Sequence, residues 1–236
     1  MNANALTDVG LVRKENEDNY LVSPERGLFV VADGMGGHVG GQIASTLAIQ
    51  VLDREIHQVY SGQNPDELLH NTLIMANDMI LHHGQEQQFY GMGTTLTAAM
   101  FYGQRLYIAH IGDSRAYLYR AGRITQLTQD HSLVNELVQN GGITHAEAQN
   151  HPQRNILTRA LGIHNAPLID VFSLPVHTGD YLLLSTDGLH NHVQAEDLEM
   201  LLSQQATLKE KVRHMVNMAL TRGGTDNVTV VLVQYE

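Results

Sequence analysis

The chain has 236 residues, a length that fits one globular domain, and its 43% hydrophobic content supplies a sizeable core. Its formal net charge is -11 with no Lys/Arg block, which argues against nucleic-acid and anionic-membrane binding. Cysteine is absent, excluding both a disulfide framework and chemistry that needs a cysteine nucleophile. Residues 1–18 lack the basic-then-apolar order of a secretory signal, and the longest apolar runs are strand-length, far below the ~20 residues of a membrane-spanning helix. A soluble, cytoplasmic protein is expected. Without a fixed-period repeat or a Pro/Ser/Gly linker, residues 1–236 read as a single domain.

In chain order, Leu28–Ala32 is an apolar, β-branched run that reads as a buried strand ending at Asp33, before the glycines of 34–37. Ile43, Leu47, Val51 and Ile56 recur at helical spacing and predict a helix over Gln42–Tyr60. Pro65 opens a second helix reaching about His83. Strand-like runs follow at Thr94–Tyr102, Arg105–Ile111, Arg115–Arg120 and Arg123–Leu127. The tight turns Gly103-Gln104 and Ala121-Gly122 can only join antiparallel neighbours. The polar stretch His131–Ile163 holds two or three short helical pieces. Strands are expected again at Leu168–Leu174, Asp180–Ser185 and Asn227–Gln234, with helices at Ala195–Gln205 and Leu208–Arg222. Antiparallel strands with inserted helix pairs suggest an α+β protein, two sheets face to face with helices outside.

Four aspartates share one setting. Asp33, Asp113 and Asp187 each follow a strand, and Asp226 precedes the last one. A carboxylate where a buried strand surfaces is held by the sheet yet can reach a cation, and hard divalent ions need several oxygen ligands. A following glycine, as at Gly34, lets a backbone carbonyl approach as well. Any one such Asp, taken alone, reads more readily as ordinary turn chemistry than as a cation ligand.

Taken together, the ordered motifs carry more. GLVRKENED (10–18), VVADGMGGH (30–38), MGTTLTAA (92–99), HIGDSRAYLYRAG (110–122), LTQDHS (127–132), LTRALG (157–162), DYLLLSTDGL (180–189) and GGTDNVTVVL (223–232) span nearly the whole chain. In this order they resemble the PPM metal-dependent protein phosphatases (protein phosphatase type 2C), in the short prokaryotic form. The resemblance implies a four-layer α-β-β-α sandwich of two mainly antiparallel sheets, with a metal centre at one end of the sheets. It implies a catalytic, metal-bridging Asp33, with the Gly34 carbonyl on one ion and Asp187 and Asp226 on the other. Asp113 would join Asp187 at a third, weaker ion. Arg13 would receive the substrate phosphate. Glu17 would touch a metal through water beside its acidic neighbour Asp18, and Asn227 adjoins the last ligand.

Such a centre hydrolyses phosphoserine and phosphothreonine directly, using a water activated by two divalent ions and an arginine fork on the phosphoryl oxygens. No covalent enzyme intermediate is needed, so Thr94, Thr95 and Ser114 are read as structural. An all-oxygen ligand set favours Mn²⁺ or Mg²⁺ over Zn²⁺, and the 14 scattered histidines are read as surface or satisfied interior groups. Met35 stands where eukaryotic members carry a proton-donating His. His38 or a water is then the candidate donor. Residues 132–162 correspond to the family's flap, in which Arg159 reads as structural rather than substrate-reading. The implied partners are phosphorylated proteins, with the enzyme acting as a monomer that opposes a serine/threonine kinase. Two other readings stay open: a phosphatase of small-molecule phosphomonoesters, and a non-catalytic phosphoprotein-binding relative.

Overall fold

Strand β3 (Leu28–Met35) shows how the core is divided. Successive side chains of a strand point to opposite faces. Leu28, Val30 and Ala32 therefore pack with helices α1 (Val39–Glu55) and α2 (Pro65–His83), while Phe29 and Val31 enter a separate cluster between two sheets. The last strand, β11 (Val228–Gln234), repeats the division. Val228, Val230 and Leu232 lie under helices, and Val231 and Val233 face the other sheet. Strands buried on both faces lose the polar alternation of half-exposed ones, which is why these segments are nearly unbroken apolar runs.

This architecture is seen in a computed structural model that describes residues 1–36, 39–57, 63–85, 89 and 91–236. One sheet has the order β1 (Asn2–Asp8), β11, β10 (Tyr181–Ser185), β7 (Arg115–Arg120), β8 (Arg123–Gln126). The other runs β2 (Asp18–Ser23), β3, β5 (Leu96–Tyr102), β6 (Arg105–Ile111), β9 (Asp170–Pro175), with the two-residue β4 (Gly93–Thr94) paired to the end of β3. Every pairing is antiparallel. Helices α1 and α2 cover the second sheet. The first is covered by α5 (Asp187–His190), α6 (Ala195–Ser203) and α7 (Leu208–Thr221). The layers are therefore α-β-β-α, as the family resemblance implies. Among the described residues no helix is long and apolar enough to cross a membrane.

Several boundaries differ from the sequence reading. Strand β3 does not end at Asp33: Gly34 and Met35 continue it, paired with Thr94 and Gly93. The expected strand 94–102 is broken at Thr95, whose N–H leaves the ladder to bond the Asp33 carbonyl at 2.9 Å. Helix α1 starts at Val39 and ends at Glu55, short of the expected Tyr60; residues 58–62 lie outside the described ones. Strands β1 and β2 were not expected from the sequence. Both are edge strands, and NANALTD and DNYLVS mix small, polar and apolar side chains without a run to mark them. Segment 132–162 contains two short helices, α3 (Leu133–Gln139) and α4 (His145–Gln149), and is tied down by bridges from Leu157 to Ser132 and from Leu161 to Thr94.

Candidate metal centre

Residues from both sheets line one open cavity of about 540 Å³. Its walls include Arg13, Glu17, Asp33, Gly34, Asp113, Asp187, Asp226 and Asn227. The fold thus brings together the residues that lie far apart in sequence, and each is fixed by its own local chemistry.

Asp33 sits inside β3, opposite Asp18 of β2. Its backbone is bound on the other side by two threonines: its N–H donates to Thr95 Oγ1 (3.0 Å), and its carbonyl accepts from Thr94 Oγ1 (2.9 Å). Thr95 Oγ1 also meets Ser114 Oγ at 2.8 Å, so these three hydroxyls brace the strand, consistent with a structural role. At Gly34 a Cβ would overlap the carbonyl of Gly41, so glycine is what lets the start of α1 approach β3 this closely.

Asp113 follows β6 after Gly112, whose φ of 107° turns the chain from one sheet to the other. His131 holds that turn, its Nδ1 accepting from the Gly112 N–H (3.1 Å) and its own N–H donating to the Gly112 carbonyl (2.8 Å). Asp187 opens α5. Asn191, one turn on, donates to its Oδ2 at 3.1 Å, while Oδ1 is buried without a hydrogen-bond partner. Asp226 Oδ2 accepts from Arg13 Nη2 at 2.7 Å.

Asn227 ties the loop between β1 and β2 to this end of the molecule. Its Oδ1 accepts from the Glu17 N–H (2.8 Å), and its Nδ2 donates to the carbonyls of Val9 (2.9 Å) and Glu15 (3.0 Å). Gly10 in the same loop has φ of 80° and sits so close to the Asp226 carbonyl that a Cβ would overlap it. Arg13 is therefore carried on a clamped loop.

The electrostatics show what the set lacks. Burial, then the charges of Asp18, Asp187, Asp113 and Asp226, push the Asp33 carboxyl well above its ordinary range. Burial and Asp187 do the same for Asp113. Asp187 is raised to about 6, by burial and by Asp226, although Asn191 and Arg13 pull it down. Asp18 is buried and raised to about 7, even though Thr229 Oγ1 (2.6 Å) and Thr186 Oγ1 (2.7 Å) both donate to its Oδ2. Mutually repelling carboxyls and an orphaned carboxylate oxygen are the signature of a site that accepts positive charge. Among the described residues no three acidic or His side chains already converge as a closed ligand group. Oxygen-ligated hard cations do not require one, since a backbone carbonyl and waters complete their shells. The donor set fits Mn²⁺ or Mg²⁺: Asp33 and the Gly34 carbonyl from one sheet, Asp187 and Asp226 from the other, and Asp113 beside Asp187.

His38, a candidate proton donor, lies outside the described residues. Arg159 donates to Asp170 Oδ1 at 3.1 Å and meets His131 at 3.3 Å, which is consistent with its structural reading. Buried His110 is satisfied by Thr97 (2.9 Å) and the Gln129 carbonyl (3.1 Å). Three contributors escaped the sequence reading. Thr186 and Thr229 hold Asp18, and Asn191 orients Asp187; only the last left a signal, standing four residues after an Asp at the start of a helical turn.

A four-layer sandwich with an acid-lined, arginine-bearing cavity at the strand ends has the make-up of a metal-dependent hydrolase. Residues 13–232 match the family model for protein phosphatase 2C. The serine/threonine phosphatase stp of Listeria monocytogenes is 40% identical over 241 residues, covering 99% of this chain and 96% of that protein. The solved S. agalactiae serine/threonine phosphatase superposes with a TM-score of 0.93 at 37% identity, over 100% of this chain and 99% of that one. The catalytic domain of the phosphatase PstP, solved in complex with two manganese ions, gives a TM-score of 0.89 at 37% identity over 99% and 97% of the chains. The chain belongs to the protein phosphatase 2C family.

Proposed function

We infer that this protein is a metal-dependent protein serine/threonine phosphatase that hydrolyses phosphoserine and phosphothreonine by direct attack of water on phosphorus. The observation that carries the reading is the meeting of Arg13 with Asp33, Asp113, Asp187 and Asp226 around one open cavity. When bound, two divalent ions supply charge neutralisation at the phosphoryl oxygens and lower the pKa of the attacking water. Asp33, with the Gly34 carbonyl, and Asp187 with Asp226 would hold them, and Asp113 with Asp187 would hold a weaker third.

The chain's own residues do the rest. Arg13 binds two phosphoryl oxygens with its planar fork and, on its clamped loop, fixes the phosphate for in-line attack. Asn191 keeps Asp187 turned toward the cavity. Asp18, on the two threonines behind Asp33, sets the charge against which Asp33 binds a cation. Met35 lines the cavity and has no proton to give, so the leaving alkoxide takes its proton from His38 or from water. Residues 132–162 form the flap of a single domain spanning 1–236, with Asn155 and Leu157 on the cavity wall.

The relatives this chain resembles are named serine/threonine phosphatases, which favours phosphoproteins over small phosphomonoesters. The enzyme acts in the cytoplasm as a monomer, opposing a serine/threonine kinase. The test is hydrolysis of a phosphothreonine peptide with Mn²⁺, with Mg²⁺ and with EDTA, beside sugar and nucleotide phosphates. Metal-dependent turnover favouring the peptide is expected. Full turnover by metal-stripped protein, or preference for the small phosphates, would overturn it.

A further inference from the structure

The loop that carries Arg13 also presents two adjacent large apolar side chains to water, Leu11 at 68% and Val12 at 66% exposure. Single exposed apolar residues are ordinary on a protein surface. This pair differs in two ways. Its backbone is immobilised, since the Leu11 N–H donates to the Gly224 carbonyl (2.8 Å), the Gly10 N–H to Asp8 Oδ1 (2.8 Å), and Asn227 grips Val9 and Glu15 on either side. It also adjoins the residue that meets the phosphate: Val12 lines the cavity next to Arg13, with Leu157 of the flap on the cavity wall as well.

We propose that Leu11 and Val12 form a contact for an apolar side chain flanking the phosphorylated residue of a protein substrate, so that the enzyme prefers phosphosites with apolar neighbours. The inference rests on the phosphatase reading above. An extended peptide advances ~3.3 Å per residue, so a phosphate held at Arg13 brings the neighbouring residues of its own chain over Val12 and Leu11. Apolar surface held out by a loop whose backbone is already fixed gains from contact with only side-chain ordering left to offset it on the enzyme's side. Val12 is part of the cavity wall and Leu11 adjoins it in the chain, which makes the substrate segment itself the fitting occupant.

The test uses the full chain loaded with Mn²⁺ and two phosphothreonine peptides that differ only in their flanking residues, Leu/Val in one and Ser in the other. The measured quantity is the ratio of their kcat/KM values, in which effects on the metals or Arg13 cancel. In the unsubstituted enzyme the apolar-flanked peptide is expected to win by roughly five- to tenfold, the scale of a partly buried aliphatic group. Leu11→Gln with Val12→Thr, near-isosteric changes at exposed positions, should bring the ratio close to one; each single variant should fall between. A ratio near one in the unsubstituted enzyme, or one unchanged in the double variant, would overturn the proposal. So would a concentration-dependent dimer that the double variant abolishes while the ratio stays put, which would assign the pair to a second copy of the chain. Turnover of p-nitrophenyl phosphate but of neither peptide would overturn the protein-phosphatase reading too, whereas equal turnover of both peptides overturns only this inference.

Discussion

Arg13 Nη2 lies 2.7 Å from Asp226 Oδ2, so the side chain assigned to the phosphate is held by one assigned to a cation. A cation on Asp226 would weaken that pair and turn the guanidinium toward an incoming anion, which links phosphate binding to metal binding. Arg13→Ala should therefore raise KM for phosphopeptides, with a loss of ~1.5–3 kcal/mol typical of a charge-assisted contact, and Arg13→Lys should recover part of it. The pair is half exposed, so the melting temperature should barely move. Wild-type kinetics on peptides would remove Arg13 from the site.

Asp33→Asn should abolish turnover at any Mn²⁺ concentration, because it removes a carboxylate that no neighbour replaces. In chelated protein the same change should leave stability equal or raise it, since a buried carboxyl crowded by four others is lost. Calorimetry in EDTA beside an activity assay reads both, and a large destabilisation would mean that Asp33 is structural first.

Asp113 tests the third ion. With Asp33, Gly34, Asp187 and Asp226 intact, Asp113→Ala should keep both core ions and nearly all stability while kcat falls strongly at saturating Mn²⁺. Metal titration, melting and kcat on one sample separate this from a turn-bracing role. Unchanged kcat, or loss of the core ions, would end the assignment.

Asn227→Ala deletes three hydrogen bonds that span 210 to 218 residues of sequence. A loss of roughly 2–4 kcal/mol in denaturant unfolding is expected, from ~1 kcal/mol per bond. Because the loop bears Arg13, KM for phosphopeptides should rise as well. An Asn227→Asp variant turns a carboxylate oxygen, which only accepts, on the Val9 and Glu15 carbonyls, and should lose at least as much as Asn227→Ala.

Away from the cavity, Asp180 supplies a pH test. Burial alone would raise its pKa, but Arg120, through bonds of 2.9 and 2.6 Å, and the His177 N–H at 2.8 Å outweigh it and hold it below the usual range. A depressed folded value means that the unfolded chain takes up the proton first. The pair's contribution is then complete above the unfolded value of ~3.9 and disappears as pH falls through the folded one. The stability gap between wild type and Asp180→Asn should be constant from pH 7 down to about 5 and close below about 4, as chemical denaturation would show. A gap that widened in acid would contradict the sign.

The parts of the fold that were legible are those where one physical demand dominates. Strands β10 and β11 are buried on both faces, so their apolar runs could be nothing else, and the turns at Gly103 and Ala121 fixed antiparallel pairing. Edge strands β1 and β2 face a mixed environment and left no such run. At the site, the aspartates were visible because Asp113, Asp187 and Asp226 flank strands, Asp33 closes an apolar run, and all four stand within recognisable motifs. The clamp at Asn227 and the threonine pair behind Asp18 were not, because their partners are distant in the chain and only the closed sandwich brings them into reach.

Asp33 and Gly34 belong to one sheet, while Asp187 and Asp226 flank strands of the other. Toward the middle, the sheets adhere through Phe29, Val31, Leu184 and Val231; at the cavity end they face each other with repelling carboxyls. A divalent ion seated there turns that seam into a rivet. Ligand binding to the native state alone adds RT ln(1 + [M]/Kd), about 2.7 kcal/mol at a hundredfold excess over Kd. A cell short of manganese or magnesium would then meet a looser molecule as well as an idle one, and the supply of the metal would govern how long this protein survives proteolysis.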